Sequence, residues 1–421
     1  MNGADRRAGR VAFGYRDFRL FFCARFVSAM ALQMMNVAIG WLVYDISNDP
    51  LALGIVGLVA FLPAVGLALF TGHVADRFDR RTILAICYVT ISAAAAALLA
   101  YVHFEWRELW PIYVLTFVIG TSRAFANPAS QALVPNLVPP EHLANAIAWN
   151  STAWQTATIA GPAVGGLMYA LGPEAVFGGA TLGFLLVLGC YLALHYRRSG
   201  ERLAEKTTWP VLVAGFRFIW SRPAILGAIS LDLFAVLLGG ATALLPIFAK
   251  DILHVGPWGL GLLRCMPAVG ASCTALFLAY RPLERRSGRR MFEAVALFGV
   301  ATIGFGLSTS LWLSLFFLFV LGASDMVSVF VRQTLVQMET PDAMRGRVSA
   351  VNSVFIGASN ELGEFESGAL AAAIGTVPTV VVGGLGTLLV AGIWAWRFPT
   401  LRRRDRLVEP ADPAGAGLNP S

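Results

Sequence analysis

Glu361, Glu364 and Glu366 interrupt a stretch, residues 351–374, that is otherwise largely small and apolar. A carboxylate in such surroundings is costly to ionise, so it faces a cavity or a partner, and desolvation favours its neutral, protonated form. The chemistry on offer is proton carriage or substrate contact rather than bond-making. Helical spacing gathers Ser349, Ser353, Gly357, Asn360, Glu364 and Ser367 on one small, polar stripe with Glu361 beside it, while Glu366 points elsewhere. Glu361 and Glu364 are therefore the candidate proton-titrating or substrate-facing groups; a static pair with a buried arginine is the plainer alternative. Four further charges, Arg25, Arg123, Asp232 and Asp325, also lie within apolar runs. Positions 123 and 325 differ by 202, the period of an internal repeat described below, so Arg123 and Asp325 would flank a central cavity from its two sides. Arg25 and Asp232 would act similarly, with structural salt bridges the bland reading for all four. Arg264 would pair with Glu366.

Other chemistries find no residues. The only lysines, Lys206 and Lys250, do not follow glycine, so no phosphate-binding loop is present. Histidines 73, 103, 142, 195 and 254 are scattered, without an HExxH pair, and no Gly-x-Ser-x-Gly elbow occurs. The five cysteines (Cys23, Cys87, Cys190, Cys265 and Cys273) lie in apolar runs and form no CxxC pair. Neither an enzyme nor an ATP-driven pump is expected, and no metal or cofactor.

The elements that must hold these charges are membrane-spanning helices. Hydrophobic residues make up 57% of 421, charged residues 14%, and mean hydropathy is +0.67, values that place the chain in the lipid bilayer. The first apolar run continues from residue 20 to 44, past signal-peptide length, and reads as a first transmembrane helix. Twelve spans are expected, at roughly 18–45, 51–74, 82–103, 109–129, 143–171, 174–196, 224–249, 257–280, 291–309, 311–338, 344–374 and 377–397. The chain also repeats itself. Gln131-Ala-Leu-Val, Pro139 and Ala148-Trp-Asn-Ser151 return as Gln333-Thr-Leu-Val, Pro341 and Ala350-Val-Asn-Ser353, and Gly161 and Gly166 return as Gly363 and Gly368. Pro63-Ala-Val-Gly66 likewise returns as Pro267-Ala-Val-Gly270. A duplicated unit implies an N-terminal bundle (1–196), a cytosolic linker with an interfacial helix (197–222), a C-terminal bundle (223–397) and a cytosolic tail (398–421). On this layout 27 of the 32 Lys and Arg fall on one face, Arg332 being counted with the tenth junction. Both termini are then cytosolic, and the basic balance needs no nucleic acid.

The second loop, Gly72-His-Val-Ala-Asp76-Arg77-Phe-Asp-Arg80-Arg81, has a carboxylate able to cap a helix N-terminus and a cluster of bases. It resembles the signature loop of the major facilitator superfamily, with Asp79 where a glycine is usual. Glu284-Arg-Arg-Ser-Gly-Arg-Arg290 resembles that loop's repeat. In the fifth span, Gly161-Pro162-Ala-Val-Gly165-Gly166 resembles the motif of the superfamily's exporters and antiporters, with Ala157 where the first glycine is usual. From composition alone, its proline bends the helix and its glycines admit a close neighbour. Residues 33–44, Arg123-Ala-Phe-Ala-Asn-Pro128 and Arg345-Gly-Arg-Val-Ser-Ala-Val-Asn352 look like the bacterial branch that includes enterobactin exporters and macrolide efflux proteins.

The resemblance implies an all-α fold of twelve transmembrane helices in two pseudo-symmetric six-helix bundles. It further implies a monomer in the bacterial inner membrane that alternates access to a central site. Proton-coupled export of a small amphipathic compound, siderophore- or drug-like, is the function implied. An importer of the same fold, a transport-inactive sensor or scaffold, and a lipid-modifying enzyme are the rivals. Residues 72–81 would latch the cytosolic side, and 161–166 would set packing in the first half. Arg123 falls where the superfamily's fourth helix carries an arginine implicated in proton coupling. Many multidrug antiporters of the superfamily carry an acid in helix one, where this chain has only Arg25 before Asp45. Protons would therefore couple from the second half, and a neutral or anionic substrate is favoured over polyspecific cations.

Overall fold

A computed structural model of the protein describes residues 11–195, 209–281, 283 and 286–405. Arg6, Arg7, Arg10, residues 197–208, Glu284, Arg285 and residues 406–421 lie outside the described residues, as does the side chain of Asp76. Among the described residues twelve helices stand where spans are expected. They are α1 (Arg16–Ser47), α2 (Pro50–Gly66), α3 (Arg80–His103), α4 (Leu109–Leu133), α5 (Leu143–Ala170) and α6 (Pro173–Leu192), followed by α7 (Pro223–Leu238), α8 (Gly256–Tyr280), α9 (Ser287–Leu307), α10 (Leu311–Glu339), α11 (Asp342–Ile374) and α12 (Thr376–Arg397). Helix is the required form, because hydrocarbon offers no partner to an open backbone group.

Nine of these segments are long and apolar enough to cross a membrane; α2 is too short, and α5 and α11 fall below the same hydropathy. Those three exceptions all meet the opposite bundle, as α8 does too. In the first bundle α1 packs on α5 and α6, α3 on α4 and α6, and α2 on α4; in the second α8 packs on α10, α9 on α10 and α12, and α7 on α11 and α12. Across the bundles α5 meets α8 and α2 meets α11. Helices enclosed on several sides by protein need fewer lipid-facing apolar residues, and their polar positions can face a cleft.

Two expected spans are broken. The second stops at Leu67 (φ −104°, ψ 1°) and resumes as Ala68–Arg77. The seventh ends at Gly239 and continues as short helical turns to Ile252. The glycines there serve close approach: a Cβ on Gly240 would lie 2.6 Å from the Gly363 carbonyl oxygen of α11. Asp49 caps α2, accepting from the Leu51 amide at 2.9 Å, and Asp79 caps α3, accepting from the Thr82 amide at 3.1 Å. The carboxylate at 79 thus has a structural use where the superfamily's loop has glycine. The helix Trp209–Ser221 lies against the start of α11, with the Phe216 and Phe355 rings 6.3 Å apart.

The bundles join tightly at the end bearing Asp45. Cβ atoms on Gly54 and Gly166 would stand 3.2 Å from Phe365 Cα and 2.5 Å from the Pro257 carbonyl oxygen, so both seams are backbone against backbone. Lys250 Nζ bonds Asp45 Oδ1 at 2.8 Å and Asn48 Oδ1 at 3.1 Å, and Tyr44 donates to Asp251. Toward the face carrying both ends of the described chain, the cleft opens: Ser151, Thr152, Trp154, Gln155 and Thr156 of α5 are all exposed.

Candidate transport site

Glu361 and Glu364 project from α11 into the α2 seam. A Cβ on Gly57 of α2 would stand 2.9 Å from Glu364 Oε2 and 3.8 Å from Glu361 Oε2, so glycine at 57 makes the room they occupy. Arg123 of α4 and Arg264 of α8 lie within electrostatic reach of Glu361, and Arg264 within reach of Glu364. Among the described residues neither glutamate has a cationic partner within 4.0 Å. Two carboxylates and two guanidiniums drawn from three helices of both bundles therefore form a loose, balanced cluster. No static buried pair holds them. Arg264 lies within electrostatic reach of Glu361 and Glu364, and among the described residues it forms no ion pair with Glu366.

Arg25 sits in the first bundle with its guanidinium 5.2 Å from the centroid of the Trp154 ring, and its Nε is buried without a hydrogen-bond partner. On α5, Gln155 donates across the cleft to Ser272 of α8 at 2.6 Å.

Arg123 is not among the charged neighbours of Asp325. Those neighbours are Asp232 of α7 and Arg332 of Asp325's own helix, so a second cluster forms inside the second bundle. Arg332, placed by the sequence reading in a polar junction, is 3% exposed and pairs with Asp232 at 2.9 Å. Residue 332 falls inside the expected tenth span, 311–338, and inside α10, which ends at Glu339, so it belongs with the intramembrane charges and not with a polar junction. The spacing 325, 328, 332 was the available signal, one helical face read twice over.

The second-loop motif binds its own bundle. Arg80 donates to the Ala132 carbonyl at 2.7 Å; Arg81 donates to the Tyr191 carbonyl at 3.1 Å and also to Leu192. These are last-turn carbonyls of α4 and α6, groups that a helix leaves unpaired and that favour a cation. Arg77 is exposed, and a Cβ on Gly72 would have nothing within 4 Å. The fifth-span motif divides its labour. Gly161 and Gly165 admit Gln33 and Met34 of α1, at 2.5 and 2.7 Å from a built Cβ, while Gly166 packs on Pro257 and Gly261 of α8. Gly166 is therefore a contact between bundles and not only packing within the first half. Pro162 shares this contact: its carbonyl oxygen is 2.5 Å from a Cβ built on Gly261. Sequence reasoning passed over the Asp45–Lys250 and Tyr44–Asp251 contacts, although Lys250 was one of only two bases on its face. Among the described residues, no group of three or more His, Cys, Asp or Glu could hold a metal ion.

Comparison with known proteins gives a consistent picture. Residues 11–413 match the family described as transmembrane secretion effector, of the major facilitator class. The chain is 27% identical over 403 residues to the enterobactin exporter EntS of Citrobacter koseri, covering 95% of this chain and 96% of that one. It is 26% identical over 388 residues to the protein of the same name from Escherichia coli, covering 92% of each. Similar folds include the inward-facing, unoccupied crystal structure of a bacterial homolog of the human lysosomal transporter Spinster (TM-score 0.68, 14% identity, 93% of this chain and 99% of that one). A bacterial homologue of the iron transporter ferroportin, also inward-facing, has a TM-score of 0.69 at 17% identity, over 92% and 99% of the two chains.

Proposed function

This chain belongs to the transmembrane secretion effector family of the major facilitator superfamily, a multi-pass membrane transporter, and on that premise we propose that it exports a small amphipathic compound in exchange for protons. The observation that carries the reading is the placement of Glu361 and Glu364 in the α2–α11 seam, within reach of arginines from both bundles. Carboxylates at a seam between moving bodies convert a change of protonation into a change of contact. Ionised, they hold Arg123 and Arg264 by charge; protonated, they release them, and the seam is free to part. The curated relatives, named enterobactin exporters and aligned over nearly their full length, support export and a siderophore-like compound. Three arginines, Arg25, Arg123 and Arg264, favour a neutral or anionic cargo over a cation.

The orientation belongs to the same proposal. The face rich in Lys and Arg, with both termini, is cytosolic. The structure is then open to the cytosol and closed outside, the state that admits cargo for export, in the bacterial inner membrane. Residues 72–81 latch the cytosolic side. A single chain suffices, since the cavity is built from its own two bundles (1–196 and 223–397).

Everted vesicles containing the protein and carrying an acid-interior gradient provide the test. Siderophores, macrolides and lipophilic dyes are added in turn while the gradient is followed by a pH-sensitive dye. Dissipation by a compound, lost in Glu361→Gln, is the expected result. Dissipation that persists in Glu361→Gln removes Glu361 as the coupling group, and silence with every compound removes proton-coupled export.

A further inference from the structure

We propose that the second bundle binds one monovalent cation, a proton or a sodium ion, between Asp325 and Asp232, at a site separate from the glutamates of the cleft. Three observations carry it. The first is charge. Two carboxylates and one guanidinium meet between α7 and α10, with Asp232 5% and Arg332 3% exposed and their ion pair 2.9 Å long. That leaves one negative charge uncompensated in a membrane-embedded bundle, an arrangement hydrocarbon surroundings penalise heavily. The second is space. A crevice lined by Asp232, Ser324, Asp325 and Ser328, walled by Val295 and Phe298 of α9, has room for about one water molecule. The third is an unused ligand atom: Ser328, one of the residues around the crevice, is 2% exposed, and among the described residues its Oγ has no hydrogen-bond partner. Arg332 Nε is likewise without one.

Among the described residues the neighbouring helices supply no other charge to Asp325. Arg289 and Glu293 of α9 pair with each other at 2.8 Å, Arg264 of α8 faces Glu361 and Glu364, and Glu339 of α10 is taken by Arg404. Serine hydroxyls and two carboxylates are hard oxygen ligands, suited to a proton or to sodium and not to a soft metal. With the cation bound, Arg332 stays on Asp232. When it leaves, two carboxylates compete for one guanidinium, so occupancy of the site sets the tie between α7 and α10.

Infrared difference spectroscopy of the full-length protein in lipid nanodiscs tests this without any transport measurement, so its outcome is independent of the export reading. Spectra are taken across a pH titration in choline chloride, then at fixed pH with sodium chloride replacing choline chloride. A protonated-carboxyl C=O band that is lost in Asp325→Asn, and retained in a Glu361→Gln/Glu364→Gln variant, is expected if the cation is a proton. A carboxylate band that shifts on adding sodium in the wild type, and not in Asp325→Asn, identifies sodium. Ser328→Ala, which keeps every charge, is expected to shift whichever band responds. If no band responds differently between wild type, Asp325→Asn and Ser328→Ala, in either titration, the site does not exist. Should Asp325→Asn fail to fold, the comparison of Ser328→Ala with wild type decides alone.

Discussion

Asp232, Asp325 and Arg332 show how little a single buried charge can be varied. Their apolar walls cannot solvate an ion, so removing one partner of the Asp232–Arg332 pair leaves an uncompensated charge at a cost of about 3–5 kcal/mol. Arg332→Leu is therefore expected to lower the thermal unfolding midpoint of the purified protein sharply. Arg332→Leu combined with Asp232→Leu should recover most of that loss, because a well-packed apolar pair substitutes for a buried ion pair at little cost. A double variant no more stable than Arg332→Leu would show that the pair is not what holds α7 to α10. Glu361 and Glu364 differ in kind. Among the described residues no cation stands within 4.0 Å of either, so amide substitution there should spare folding and act on transport.

Helices α5 and α11 are built from small residues because each touches two partners at backbone distance. On α5 the division falls between adjacent glycines: Gly165 meets Met34 Cα within its own bundle, and Gly166 meets Pro257 and Gly261 in the other. Gly165→Leu is expected to reduce the amount of folded protein, since the first bundle cannot assemble around it. Gly166→Leu should fold, with the seam held apart, and transport should fall by roughly tenfold or more, the equivalent of ~1.4 kcal/mol on the closed state. Yield by fluorescence-detected size exclusion, set against flux in vesicles, separates the two. Equal effects of both substitutions on yield would contradict the assignment of Gly166 to the inter-bundle seam.

Closure of the whole molecule rests on weak polar contacts laid over close-packed seams. The Lys250–Asp45 pair is partly exposed, and such pairs contribute about 0.2–1 kcal/mol, small enough to break in every cycle. Lys250→Asp is expected to favour opening at that end, and Asp45→Lys/Lys250→Asp to restore closure. The readout is labelling of Asn36→Cys, an exposed α1 position, by a membrane-impermeant maleimide on intact cells, in a background lacking the exposed Cys273. Labelling should rise in the single variant and return in the swap. Unchanged labelling in both would mean that the glycine seams alone keep this end shut.

The twelve-helix architecture and its two-fold repetition were legible in the chain itself, because hydrocarbon allows only helices and a period of about two hundred residues survives as matching motifs. The intramembrane carboxylates were legible for the same reason: charge is rare there, so each instance stands out. Pairing was not. Arg264 is expected to pair with Glu366, and Asp325 to flank the central cavity opposite Arg123, yet Arg264 lies within electrostatic reach of Glu364, and the charged neighbours of Asp325 are Asp232 and Arg332. Helical periodicity states which face a residue occupies, but which helix covers that face depends on how α7 breaks at Gly239 and Gly240 and how closely α2 meets α11. Those contacts are made between residues far apart in the chain. The residue types thus came from the sequence, and their partners only from helix packing in three dimensions.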